Sequence, residues 1–91
     1  MKIYKGNVEV HSSNVKEWEQ KLKDIGKISG NLYINSDAEL KALKSVGGSL
    51  SIHSNAELKA EALKSVGGGL YIDKSAKVSE NIKVLQVARE L

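Results

Sequence analysis

"GGSLSIHSNAELKAEALKSVGGGLYI", residues 47–72, repeats with small changes what "GNLYINSDAELKALKSVGG", residues 30–48, has already said. Working outward, four strand-like cores fall into one column: "GNVEV" (6–10), "GNLYI" (30–34), "GSLSI" (48–52) and "GGLYI" (68–72), at spacings of 24, 18 and 20 residues. Each alternates with period 2. Val8 and Val10, Leu32 and Ile34, Leu50 and Ile52, and Leu70 and Ile72 therefore point to one face, and Glu9, Tyr33, Ser51 and Tyr71 to the other. The apolar pairs are the expected core.

Between the strands the period changes. "AELKALKSV" (38–46) sets Leu40, Leu43 and Val46 on one helical face, and "AELKAEALKSV" (56–66) does the same with Leu58, Ala62, Leu63 and Val66, which predicts short helical returns. Asp37, Asn55 and Ser75 precede these positions as helix caps or turn formers. The glycines at 47–48 and 67–69 are expected to supply positive φ where a helix stops and the next strand begins.

A lap of about 20 residues that returns to a parallel strand describes a solenoid, because no copy can bury its apolar face without a neighbour. The expected fold is α/β: a small right-handed solenoid of about four strand-turn-helix laps, with a parallel sheet on one side and helical end caps. One domain covers 1–91. Residues 1–29 form its N-terminal lap and capping helix, 30–78 its central repeats and 79–91 its C-terminal capping helix. "NVKEWEQKLKDI" carries Val15, Trp18, Leu22 and Ile25 on one face, with Asn14 and Glu17 as a capping-box variant. "SENIKVLQVAREL" carries Ile82, Leu85, Ala88 and Leu91, widened by Val84 and Val87.

Within this frame Leu50, Ile52, Asn55 and Leu58 follow an L-x-I-x-x-N-x-x-L pattern that resembles leucine-rich-repeat-like proteins, receptor L domains in particular. Leu32, Ile34, Asp37 and Leu40 repeat it. The cadence "LKSVGG" followed by "LYI" is similar to short repeat proteins of bacteria and their prophages. That resemblance implies a host protein as partner and a phage-type inhibitor, such as an anti-CRISPR, as the role.

Composition narrows the chemistry. The chain has 41% apolar residues, no Phe and a single Trp, so its core is aliphatic. No Cys is present, which excludes a disulfide scaffold, a thiolate metal site and a cysteine nucleophile. No stretch approaches the ~18 apolar residues of a membrane span or forms a signal peptide, so a cytoplasmic protein without membrane contact is expected. The glycines precede no Gly-Lys-Ser/Thr phosphate loop, and no serine sits in a nucleophile elbow, so Ser49 and Ser51 read as strand residues. Glu39 and Glu57 are equivalent by repetition.

His11, Asn35, His53 and Asp73 share a column just beyond the strands. Strands stack ~4.8 Å apart, so two histidines with one lap between them are ~9.6 Å apart at the backbone. That is poor spacing for a metal needing nitrogen at ~2.0–2.1 Å. His53 and Asp73 read as a surface contact. Neither an enzyme, a metal nor another cofactor is expected.

Binding is the remaining reading. The open sheet face carries two of the chain's three tyrosines, a residue enriched in protein interfaces. The expected partner site comprises Glu9, Tyr33, Ser51 and Tyr71 with His11, Asn35, His53 and Asp73. Two alternatives come from other classes. Net charge +3, with Lys41, Lys44, Lys59 and Lys64 recurring, suggests nucleic acid. Against that, every basic residue except Arg89 is Lys, and the lysines alternate with Glu. Edge strands or end caps could also join copies of the chain into a homo-oligomer.

Overall fold

In a computed structural model, residues 2–90 are described, with side chains described through residue 85. The chain winds as a solenoid of about four laps built on three parallel sheets. The first sheet stacks β1 (Lys2–Tyr4), β3 (Ile25–Ile28), β6 (Ser45–Val46) and β9 (Ser65–Val66). The second stacks β2 (Val8–Val10), β4 (Leu32–Ile34), β7 (Leu50–Ile52) and β10 (Leu70–Ile72). The third holds β5 (Ala38–Glu39), β8 (Glu57–Lys59) and β11 (Lys77–Val78). Each lap visits the three sheets in turn.

The alternation places the core as expected. Val8, Val10, Leu32, Ile34, Leu50 and Ile52 are buried, while Leu70 and Ile72, on the last strand of their sheet, are half-buried. Leu43 and Leu63 fill the corner between the third and first sheets, and Ile82 occupies the matching place in the last lap. Leu63 and Ile82 lie three residues beyond the carbonyls their N–H groups reach, Ala60 at 3.1 Å and Ser79 at 3.0 Å.

The expected helical returns at 38–46 and 56–66 are replaced by strand, turn and strand, so the central laps are β rather than α/β. Nine residues make a marginal helix, because nucleation fixes several dihedrals for one hydrogen bond. Stacked laps instead give the same backbone groups partners immediately. Leu40 N–H donates to Lys59 O at 2.8 Å, Lys44 N–H to Gly26 O at 2.8 Å, and Lys64 N–H to Lys44 O at 2.8 Å. The apolar residues fit either reading: Ala38 and Leu40 share a face at period 2, and Leu43 follows a turn.

The two copies of "AELKA" do not stack on their own counterparts. Ala38 lies opposite Leu58, and Glu39 opposite Lys59, two residues out of step with the sequence match. The repetition of Glu39 in Glu57 is therefore not a structural equivalence. Because the side-chain period is 2, a two-residue slide keeps every apolar residue inside. It also sets Glu39 beside Lys59 instead of Glu57, opposite charge in place of like charge, a difference of about 0.2–1 kcal/mol.

The glycines also act differently from expectation. Gly47, Gly48, Gly67 and Gly68 do not take positive φ; among the described residues only Gly6 (φ 123°) and Asn55 (φ 63°) do. Gly48 N–H donates to Gly30 O, and Gly68 N–H to Gly48 O, each at 2.9 Å. A Cβ on Gly48 would lie 2.9 Å from the Gly30 carbonyl carbon. Close inter-lap approach, rather than a left-handed turn, requires glycine there.

Helix α1 (Val15–Lys21) stands between β2 and β3, where the first lap would have placed a strand of the third sheet, and it ends before Ile25, which belongs to β3. Its Glu19 carboxylate accepts the Glu39 N–H at 2.8 Å on the outer edge of β5. Trp18 packs edge-to-face with Tyr4, with ring centroids 5.4 Å apart, and the Lys21 ammonium lies over the Trp18 ring, 5.1 Å from its centroid. Helix α2 (Glu80–Glu90) follows β11; its Asn81 Nδ2 donates to Ala60 O at 2.9 Å and Leu63 O at 2.8 Å. Ile82 is buried, Leu85 half-buried and Val84 exposed. The side chains of Val87 and Ala88, and Leu91 altogether, lie outside the described residues. Among the described residues no helix is long and apolar enough to cross a membrane.

Candidate interaction face

The second sheet has the most regular outer surface, because β2, β4, β7 and β10 pair without a register shift. Tyr33 stands opposite Glu9 on one side and Ser51 on the other, and Ser51 opposite Tyr71. The ladder continues past the strand ends: Asn35 N–H donates to Val10 O at 2.8 Å, His53 N–H to Ile34 O at 2.9 Å, and Asp73 N–H to Ile52 O at 3.0 Å. All eight residues expected at the partner site thus lie in two adjacent columns on one surface.

Their side chains divide into tied and free groups. His11 Nε2 lies 2.6 Å from Glu9 Oε1, and its Nδ1 lies 3.4 Å from Asn35 Nδ2, so the first lap of the face is hydrogen-bonded within itself and to the second. Tyr33 is half-buried, and its hydroxyl accepts from Asn31 Nδ2 at 3.0 Å. Asp73 accepts from the Ser75 N–H at 2.9 Å and the Ser75 hydroxyl at 2.7 Å. These two bonds hold its carboxyl below the ordinary 3.8, with Lys74 and then His53 adding smaller electrostatic contributions. Among the described residues no hydrogen bond joins His53 to Asp73. Tyr71 is 63% exposed.

A third column on this side was not singled out from the sequence. Asn7 Oδ1 accepts the Asn31 N–H at 2.8 Å, Asn31 Oδ1 the Ser49 N–H at 2.7 Å, and Ser49 Oγ the Gly69 N–H at 3.1 Å. Each short polar side chain reaches one lap forward and satisfies a backbone donor the turn leaves exposed. The signal was present as the residue after each lap glycine: Asn7, Asn31, Ser49, Gly69. The series ends at Gly69, which has no side chain to offer. The Tyr71 ring lies over this position, 2.6 Å from where a Gly69 Cβ would stand.

Asn14 also has a role beyond its expected one. It occupies the N-cap position of α1 without capping the helix. Instead its Nδ2 donates to Glu9 O at 3.2 Å, and its Oδ1 accepts the His11 N–H at 2.7 Å. A residue on a neighbouring parallel strand would make the same two bonds. The Asn14 amide therefore substitutes for a strand at the outer edge of β2. The chain matches no family model, no curated protein and no solved structure.

Proposed function

We propose that the protein is a non-enzymatic binding module whose outer second-sheet face docks a protein partner. The supporting observation is Tyr71, a large aromatic side chain 63% exposed at the end of an ordered column, lying over a glycine. An aromatic ring placed on a rigid strand loses little conformational freedom when covered, and such anchors carry a disproportionate share of interface energy. The tied residues Glu9, His11, Asn35 and Tyr33 would form the preorganised part of the face. Ser51, His53 and Asp73 flank the anchor. The resemblance to prophage repeat proteins makes a host protein the partner class, with inhibition of that protein as the role.

Affinity capture from host lysate, repeated with variants, tests this reading. Tyr71→Ala and Tyr33→Ala should each weaken capture by about 1–2 kcal/mol, about 5–30-fold, without unfolding the chain. Lys44→Ala with Lys64→Ala should leave capture intact, since Lys44 and Lys64 immediately precede β6 and β9 of the first sheet. If instead the lysine changes abolish a salt-sensitive interaction and the tyrosine changes are harmless, the partner is polyanionic and the face is not the site.

A further inference from the structure

We infer that the edge of β10 is a homodimerisation strand, on which a second copy of the chain pairs antiparallel about a twofold axis through Tyr71. The argument begins with the ladder. Leu50 N–H donates to Gly69 O and Asp73 N–H to Ile52 O, so β7 uses Leu50 and Ile52 to reach β10. In a parallel pair the intervening residue, Tyr71, is the one that bonds back. The N–H and C=O groups of Leu70 and Ile72 consequently point away from the sheet. Among the described residues no strand pairs with β10 on that side.

An open edge is a liability that folds usually blunt. Here the opposite edge of the same sheet is blocked by the Asn14 amide, and the outer edge of β5 by the Glu19 carboxylate. The block on β2 also disfavours head-to-tail stacking, in which β2 of one copy would extend β10 of another. A twofold arrangement uses β10 twice and leaves β2 untouched.

The strand is complementary to itself in this arrangement. With Tyr71 opposite its own counterpart, Leu70 stands opposite Ile72 of the second copy. The outward groups of those two residues face each other as a hydrogen-bonded pair, repeated by the symmetry. The half-buried Leu70 and Ile72 side chains extend the apolar layer across the junction. The two Tyr71 residues face each other at their Cβ atoms as a non-hydrogen-bonded pair, the position where cross-strand residues are closest. Asp73 of the second copy comes opposite Gly69, over which the Tyr71 hydroxyl lies, so a carboxylate acceptor meets a phenol donor.

Light scattering over a concentration series tests the proposal on the chain itself. Wild type should pass from 9.9 kDa to twice that mass and stop. Tyr71→Lys, which opposes two ammonium groups across the axis, should remain at the monomer mass and weaken association at least 10-fold. Leu70→Pro, which removes an outward N–H and no hydrogen bond to β7, should do the same while retaining capture of the partner. Because the chain has no cysteine, Tyr71→Cys under mild oxidation should give a covalent dimer, whereas Tyr33→Cys, flanked by strands on both sides, should not. A wild type that stays monomeric, grows beyond two copies, or dimerises unchanged with Tyr71→Lys would overturn the inference. The partner-face reading stands or falls separately, on the Tyr33→Ala capture result.

Discussion

The two edges of the second sheet, Val8–Val10 and Leu70–Ile72, share one alternating pattern and meet solvent differently. At β2 the flanking Asn14 folds back and supplies the amide pattern of a missing strand. At β10 the next residues, Asp73 to Ser75, form a turn closed on itself by two bonds to the Asp73 carboxylate. Ser75 Oγ then accepts the Asn55 N–H one lap back. The polar groups at β2 are thus used to finish the sheet, and those at β10 to tie the last lap to the one before it. A repeat protein needs terminal laps that differ from the central ones, and the difference rests on where a few short polar side chains are directed.

Four perturbations bear on this contrast, beginning with the strongest. Leu50→Asp places an unpaired charge in a fully buried site flanked by laps on both sides, at a cost of about 4 kcal/mol or more, and should abolish cooperative unfolding at room temperature. Leu70→Asp, in the half-buried end lap, should fold with a lowered melting temperature. Equal loss in both would mean the last lap is as closed as the middle.

Gly48→Ala should cost about 2 kcal/mol, because its Cβ meets the Gly30 carbonyl carbon at 2.9 Å, backbone that cannot rotate away. Gly6→Ala, whose Cβ would meet only Tyr4 Cε1 at an ordinary 3.8 Å but which sits at φ 123°, should cost about 1 kcal/mol. Chemical denaturation of both variants distinguishes a stacking constraint from a turn constraint, and the reverse order would favour the turn.

Asn14→Ala removes both bonds at the β2 edge and should destabilise by about 1–2 kcal/mol. It should also speed hydrogen exchange of the His11 amide and allow copies to grow past the dimer, since both edges are then open. Unchanged exchange at His11 would show that Asn14 does not close the edge.

The smallest effect concerns pH. The Asp73 carboxyl is held below 3.8 by the Ser75 bonds, so its contribution is present above the unfolded value and lost as pH falls through the folded one. Acidification below about pH 4 should therefore loosen the last turn. Ser75→Ala removes the hydroxyl bond and should raise the Asp73 midpoint toward 3.8 in an NMR titration. No movement would assign the depression to the backbone N–H alone.

Period-2 alternation around the lap glycines was sufficient to place the second sheet, its inward pairs and its outward columns, because facing in a strand is a local property of sequence. The spacing of Leu40, Leu43 and Val46 was not sufficient, since three large apolar residues in nine satisfy a helix and a bent strand equally. Neighbouring laps resolved that ambiguity by offering acceptors to backbone donors such as the Leu40 and Lys44 N–H groups. They also set the two-residue slide that puts Glu39 beside Lys59, a register that no single copy contains. The same holds for Asn14 and Gly48. Sequence identified residues suited to a cap and a turn, and the stack turned one into a substitute strand and the other into a spacer, because only the adjacent backbone determines which donor lacks an acceptor and where a Cβ has no room.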